Sequence, residues 1–177
     1  MGSDLCRAPQ FLYATGLTGQ IDVFPMDGNT GALGSPTSTL GPTGSLGMAA
    51  LGNQFLYVSN PQLTLGGASS IDAWSINLGS GALTTVSGSP FSLGPLSLAA
   101  GLAADSSAQV LYVGDAGKID ALKADATGAL TAVIGSPFLA GANLFLTVDP
   151  QSRFVFAADD DPPAMFGPSP SIRARER

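Results

Sequence analysis

Gln54-Phe55-Leu56-Tyr57-Val58-Ser59 is a short block that decides the fold because the chain repeats it. It occurs earlier as Gln10-Phe11-Leu12-Tyr13-Ala14-Thr15 and later as Gln109-Val110-Leu111-Tyr112-Val113-Gly114, and again as Arg153-Phe154-Val155-Phe156-Ala157-Ala158. Each copy alternates large apolar with smaller residues at period two, the pattern of a strand with two unlike faces. Tyr13, Tyr57, Tyr112 and Phe156 follow one another at intervals of 44, 55 and 44 residues.

Working outward, each of the first three copies is followed by a second strand-like block: Gln20-Ile21-Asp22-Val23-Phe24, Ser70-Ile71-Asp72-Ala73-Trp74 and Lys118-Ile119-Asp120-Ala121-Leu122. A turn comes next, Thr30-Gly31-Ala32-Leu33, Ser80-Gly81-Ala82-Leu83 or Thr127-Gly128-Ala129-Leu130, whose glycine supplies the positive φ that a tight hairpin needs. A Gly-Ser-Pro step starts at Gly34, Gly88 and Gly135, and small-residue stretches at 46–51, 96–104 and 143–149 supply a further strand suited to a crowded axis. Four strands per period of ~40–50 residues is the signature of a β-propeller blade. The sequence therefore predicts an all-β chain, a partial β-propeller of four-stranded antiparallel blades, about three per chain. Residues 1–9 read as an N-terminal leader, 10–161 as the repeat array, and 162–177 as an irregular or out-of-frame tail ending Arg173-Ala174-Arg175-Glu176-Arg177.

The 177 residues carry thirteen acidic and seven basic side chains, a net charge of −6, which argues against a surface that tracks nucleic-acid phosphates. There is no histidine and a single cysteine, Cys6, so zinc patterns and an internal disulfide are excluded and any metal would be held by oxygen. No apolar run reaches the ~20 residues of a membrane helix. The N-terminal residues lack the charged-then-apolar layout of a secretory signal, so a soluble chain is expected.

The blocks resemble the seven-bladed lactonase-type propellers related to 6-phosphogluconolactonase. The resemblance rests on Phe55-Leu56-Tyr57-Val58 with Gly81-Ala82-Leu83-Thr84 and Gly88-Ser89-Pro90-Phe91, and on Leu111-Tyr112-Val113 with Thr127-Gly128-Ala129-Leu130-Thr131 and Gly135-Ser136-Pro137-Phe138. It covers residues 10–159 and implies a hydrolase of the lactonase class. The histidine and glutamate of that family's chemistry have no counterpart, since the only glutamate is Glu176 in the tail.

Propeller ligands bind where equivalent loops converge at the channel mouth, so polar residues at equivalent repeat positions are the candidates. The position after each Leu-Tyr strand holds Gly16, Asn60, Asp115 and Asp159, and Asp160 follows the last. Asn60, Asp115, Asp159, Asp160 and Asn143 are the candidate ligands of a divalent cation, calcium best suiting hard oxygens, with Asp115 and Asp159 as candidate catalytic residues. Turn formation after a strand is the competing explanation for the same residue types. Asp22, Asp72 and Asp120 read as scaffold bonding to a neighbouring strand, Asp105 and Asp149 as turn formers, Tyr13, Tyr57, Tyr112 and Trp74 as core, and Lys118 as solvated.

About thirteen strands are expected, three in the first cassette and two in the last, or roughly half a ring. Open blade faces and edges pair with other chains unless covered. A homodimer is expected, in which the strand at 143–149 of one copy completes the first cassette of the other, giving a two-fold ring of about six blades. A small-molecule ligand at its mouth is compatible; a nucleic acid or a membrane is not an expected partner. The alternative to an enzyme is a non-catalytic propeller that binds or assembles.

Overall fold

The computed structural model describes residues 4–8, 10–61, 68–95, 97–115, 117–139 and 143–159. The expected tail at 162–177 lies outside them. All the strand pairings are antiparallel, and the described elements are strands in chain order. The first sheet is β1 (Asp4–Ala8), β2 (Phe11–Thr15), β3 (Gln20–Pro25) and β4 (Thr37–Leu40), side by side in that order. The second is β5 (Met48–Leu51), β6 (Phe55–Asn60) and β7 (Ser70–Ile76), with β8 (Leu83–Thr85) and β9 (Phe91–Ser92) sharing the outer edge of β7. The third repeats it as β10 (Ala99–Asp105), β11 (Val110–Asp115), β12 (Lys118–Ala124), β13 (Leu130–Ala132) and β14 (Phe138–Leu139). A two-stranded sheet, β15 (Asn143–Val148) with β16 (Val155–Asp159), stands in the place of a fourth blade.

The outer strands of blades two and three are split at the Gly-Ser-Pro steps, because proline has no N–H to give to a ladder. The preceding serine repairs the gap. Ser89 Oγ accepts the Ala73 N–H and Ser136 Oγ the Ala121 N–H, each at 2.9 Å. The Ser-Pro steps are therefore anchors of the third strand.

One element departs from expectation. Asp4–Ala8, placed by sequence in a leader, pairs with β2 from Asp4↔Thr15 to Ala8↔Phe11. The inner edge of β2 is a row of N–H and C=O groups that needs a partner, and the nearest extended segment supplies it. The first blade thus has its own inner strand. The strand at 143–149, expected to complete another copy's first cassette, pairs with β16 of its own chain.

The core lies between blades rather than within them. Phe11, Tyr13, Ile21 and Val23 of the first blade meet Leu56, Val58, Trp74 and Ile76 of the second. Phe55, Tyr57, Ile71 and Ala73 meet Leu111, Val113, Leu122 and Leu130 of the third. Alternate residues of β6 thus serve two layers, and each fully buried Leu, Ile or Val contributes ~1.5–3 kcal/mol. The turn glycines cap these layers. A Cβ on Gly81 would lie 2.6 Å from the Phe11 ring, and one on Gly128 2.5 Å from the Phe55 ring; both glycines also hold positive φ. Beside each contact a buried tyrosine reaches across: Tyr13 Oη donates to the Gly81 carbonyl and Tyr57 Oη to the Gly128 carbonyl, both at 2.9 Å. These tyrosines are core residues, as expected, and also staples from one blade to the next.

Candidate functional site

In every blade the end of the second strand, the start of the third and the start of the inner strand lie together. The register places Asn60 opposite Ser70, Asp115 opposite Lys118, and Asn143 opposite Asp159. The polar positions singled out in the sequence therefore share one end of the array. The side chains of Asn143 and Asp159, and the whole of Asp160, lie outside the described residues.

In the second blade Asn60 Nδ2 donates to Asp72 Oδ2 at 2.9 Å. Burial pushes the Asp72 carboxyl above its ordinary pKa, and the Asn60 hydrogen bond only partly offsets it. Asp72 is scaffold in that it bonds a neighbouring strand, as does Asp22, which accepts the Ser38 hydroxyl at 2.5 Å. The next loop at the same end is tied by serines: Ser59 Oγ accepts the N–H groups of Leu46 and Gly47 at 3.1 and 2.8 Å, and Ser97 Oγ accepts the Ser69 N–H at 2.7 Å.

The third blade replaces this neutral arrangement with charge. Asp115 is fully buried. Its Oδ1 accepts the Leu98 N–H, which fastens the loop leading into β10. Its Oδ2 lies 2.6 Å from Lys118 Nζ. That contact is an ion pair without hydrogen-bond alignment, since Oδ2 is the buried side-chain oxygen among the described residues that has no hydrogen-bond partner. Lys118 Nζ also donates to Asp120 Oδ2 at 3.2 Å. Burial alone would lower the lysine pKa, but its pairing with Asp115 and Asp120 outweighs that and holds it above its ordinary value. Burial raises the Asp120 pKa; Lys118 opposes that rise, and Asp115 reinforces it.

Two carboxylates thus share one ammonium, and Lys118, read from sequence as solvated, is the centre of the cluster. The signal was present: position 118 faces Asp115 across a tight hairpin and lies on the same face of its strand as Asp120, two residues on. Among the described residues no group of three carboxylate, histidine or cysteine side chains is placed to hold a metal ion. Asp115 fits that role poorly, because the cation beside its free oxygen is the Lys118 ammonium. Asp105 and Asp149 are turn formers: Asp105 Oδ1 accepts the Ser107 and Ala108 N–H groups, and the Asp149 carbonyl accepts the Ser152 N–H.

No protein-family model matches the sequence, and no curated protein matches it significantly. Solved structures do match. The periplasmic gluconolactonase of Pseudomonas aeruginosa is 14% identical with a TM-score of 0.68, over 88% of this chain and 50% of that one. A 6-phosphogluconolactonase-like protein of Bacteroides uniformis gives 14% identity and a TM-score of 0.68 over 88% of this chain and 48% of that one. One from Bacteroides fragilis gives 19% identity and a TM-score of 0.61 over 85% and 39%. The chain spans about half or less of the length of these structures. It carries the blade fold of the 6-phosphogluconolactonase-like β-propellers.

Proposed function

We propose that the chain is a lactonase-like propeller half that assembles with a second copy and hydrolyses lactones, esters or phosphotriesters at the polar end of its blades. The observation that carries the reading is the pair Asp72, half-buried, and Asp120, buried, carboxyls at equivalent positions of neighbouring blades, both held above the ordinary carboxylate range. A carboxyl tuned upward is suited to moving a proton in hydrolysis. The Lys118 ammonium beside Asp120 is suited to stabilising negative charge on a carbonyl or phosphoryl oxygen. Asp115 then positions Lys118. A divalent cation at this mouth, calcium by the hardness of its ligands, would draw on Asn60, Asn143, Asp159 and Asp160 rather than on Asp115.

The test is hydrolysis of a lactone, an aryl ester and a phosphotriester by the purified chain, with and without EDTA, in wild type and in Asp120→Asn and Asp159→Ala. Turnover lost in Asp120→Asn with the assembly intact supports the reading; EDTA sensitivity together with loss in Asp159→Ala supports the cation. Absence of turnover on all three substrates overturns it and leaves the second reading, a binding or assembly scaffold. That reading is favoured by one observation: Asp115, Lys118 and Asp120 are already engaged with one another.

A further inference from the structure

Each blade presents two different faces, and the chain's own interfaces show what each face accepts. One face is a ridge from the second strand, Phe11 with Tyr13 in the first blade and Phe55 with Tyr57 in the second. The face that covers it belongs to the next blade and is a shallow groove. In the second blade it is built from Leu56 and its cross-strand partner Trp74, closed by the turn glycine Gly81 over the Phe11 ring. The third blade repeats it with Leu111, its partner Leu122, and Gly128 over the Phe55 ring.

Among the described residues, the first blade and the two-stranded sheet leave one of each face uncovered. On the two-stranded sheet, Phe154 and Phe156 occupy the ridge positions of Phe55 and Tyr57, and both are 57% exposed where the earlier ridge residues are buried. Phe156 also lines an open apolar hollow of about 310 Å³ with Phe145. On the first blade, Leu12 pairs across the strands with Phe24 as Leu56 does with Trp74, and both are half-buried. The turn glycine there, Gly31, has the same positive φ as Gly81, yet nothing described lies within 4 Å of where its Cβ would be. Leu33 beside it is 49% exposed. The equivalent turn positions in the other blades are each filled by a phenylalanine ring.

We propose that a second copy of this chain fills both vacancies: the Phe154–Phe156 ridge of one copy seats in the Leu12–Phe24–Gly31 groove of the other, with the Phe154 ring against Gly31. The contact rests on the self-assembly proposed above and gives it a surface. It reproduces the packing already made twice within the chain, and it needs no strand to leave its own sheet. The two partner surfaces are different, so the contact is head-to-tail, and two copies satisfy both of their open faces by making it reciprocally.

The experiment separates this contact from self-assembly in general. Phe154→Asp spoils the ridge and Leu33→Asp spoils the groove, both at exposed positions where the fold tolerates change, with circular dichroism and thermal melting as the check on folding. Molecular mass is measured by light scattering at micromolar concentration. Wild type is expected to be a dimer and each variant alone a monomer. An equimolar mixture of the two is expected to form a heterodimer, because the ridge of the Leu33→Asp chain and the groove of the Phe154→Asp chain are both intact. A Leu33→Asp chain that stays fully dimeric, or a mixture that stays monomeric, overturns the head-to-tail contact while leaving self-assembly standing. A monomeric wild type overturns both.

Discussion

Lys118 Nζ lies 2.6 Å from Asp115 Oδ2, an ion pair whose acidic member is fully buried. A buried charge is tolerated only when it is paired, and removing one partner costs far more than the pair itself contributes. Lys118→Met is therefore expected to destabilise the chain by about 3–5 kcal/mol. Asp115→Asn, whose amide oxygen can still accept the Leu98 N–H, is expected to cost less. Urea denaturation of both variants checks the order, and equal losses would mean that the pair is not held as described.

Two hydroxyls carry the next prediction. Tyr13 and Tyr57 each donate across a blade boundary to a turn carbonyl, so Tyr13→Phe and Tyr57→Phe each strand a buried acceptor, at about 1–3 kcal/mol apiece. The two bonds lie in different layers, and the losses should add in the double variant. Tyr112 occupies the same position of the third blade but is only half-buried and has no described hydroxyl partner, so Tyr112→Phe is expected to be near neutral. Equilibrium denaturation of the four variants reads all of this; a large loss at Tyr112 would show that its hydroxyl is engaged in solution.

The fold was legible because its repeat is written in residues with few structural alternatives. Leu-Tyr alternation sets the second strand, Ile-Asp the third, and Gly-Ala-Leu the hairpin between the third strand and the outer one. What sequence could not supply was the partner of each polar group. Asp4–Ala8 has no Leu-Tyr pattern and is a strand because β2 offers it an edge, which is tertiary context. Asp115 and Asn60 occupy one repeat position, yet Asp115 is engaged by Leu98 and Lys118 whereas Asn60 bonds Asp72. The difference comes from position 70 against position 118, serine in one hairpin and lysine in the next.

Close approach of the inner strands makes Gly47 a sensitive position. Its Cβ would stand 2.2 Å from the Ala100 carbonyl oxygen and 2.9 Å from the Leu102 nitrogen, all of it backbone that has no rotamer to escape into. Gly47→Ala must push the loop into β5 away from β10, at a cost of at least about 1–3 kcal/mol. Ser59 Oγ holds the Gly47 N–H at 2.8 Å, so the displacement should also weaken that tie. Gly31→Ala is the comparison: it carries a positive φ penalty that Gly47 lacks, but has open space where its Cβ would be. Thermal melting of the two variants, with hydrogen exchange at the Gly47 amide or its alanine counterpart, tests whether the clash acts at that loop.

Acid stability offers the last prediction, and its sign follows from opposing carboxyls. Burial alone would raise the Asp105 pKa, but the Ser107 hydroxyl, the Ala108 N–H, the Ser152 hydroxyl and the Ser107 N–H together bring it below its ordinary value. A carboxyl lowered by folding adds stability above its unfolded pKa of ~3.9 and loses it as pH falls through the folded value. Asp72 and Asp120, both raised, act the other way: folding favours their protonated forms, so their contribution improves as pH falls through their raised values. The acid limb of the whole chain is therefore a sum of opposite slopes, and differences between variants isolate each part. Asp105→Asn should be less stable than wild type near neutral pH, and the gap should narrow once wild-type Asp105 is itself protonated in acid. Asp120→Asn should show the reverse, gaining on wild type as pH rises from the unfolded carboxyl value of ~3.9 through the raised folded one, and holding that gain above it. Because Ser152 Oγ reaches Asp105 at 2.8 Å from the turn between β15 and β16, Ser152→Ala should reproduce a fraction of the Asp105→Asn loss and free the two-stranded sheet first. Denaturation at neutral and acid pH measures the first two effects, and hydrogen exchange along β15 and β16 measures the third; a gap for Asp105→Asn that is independent of pH would overturn the assignment of its charge.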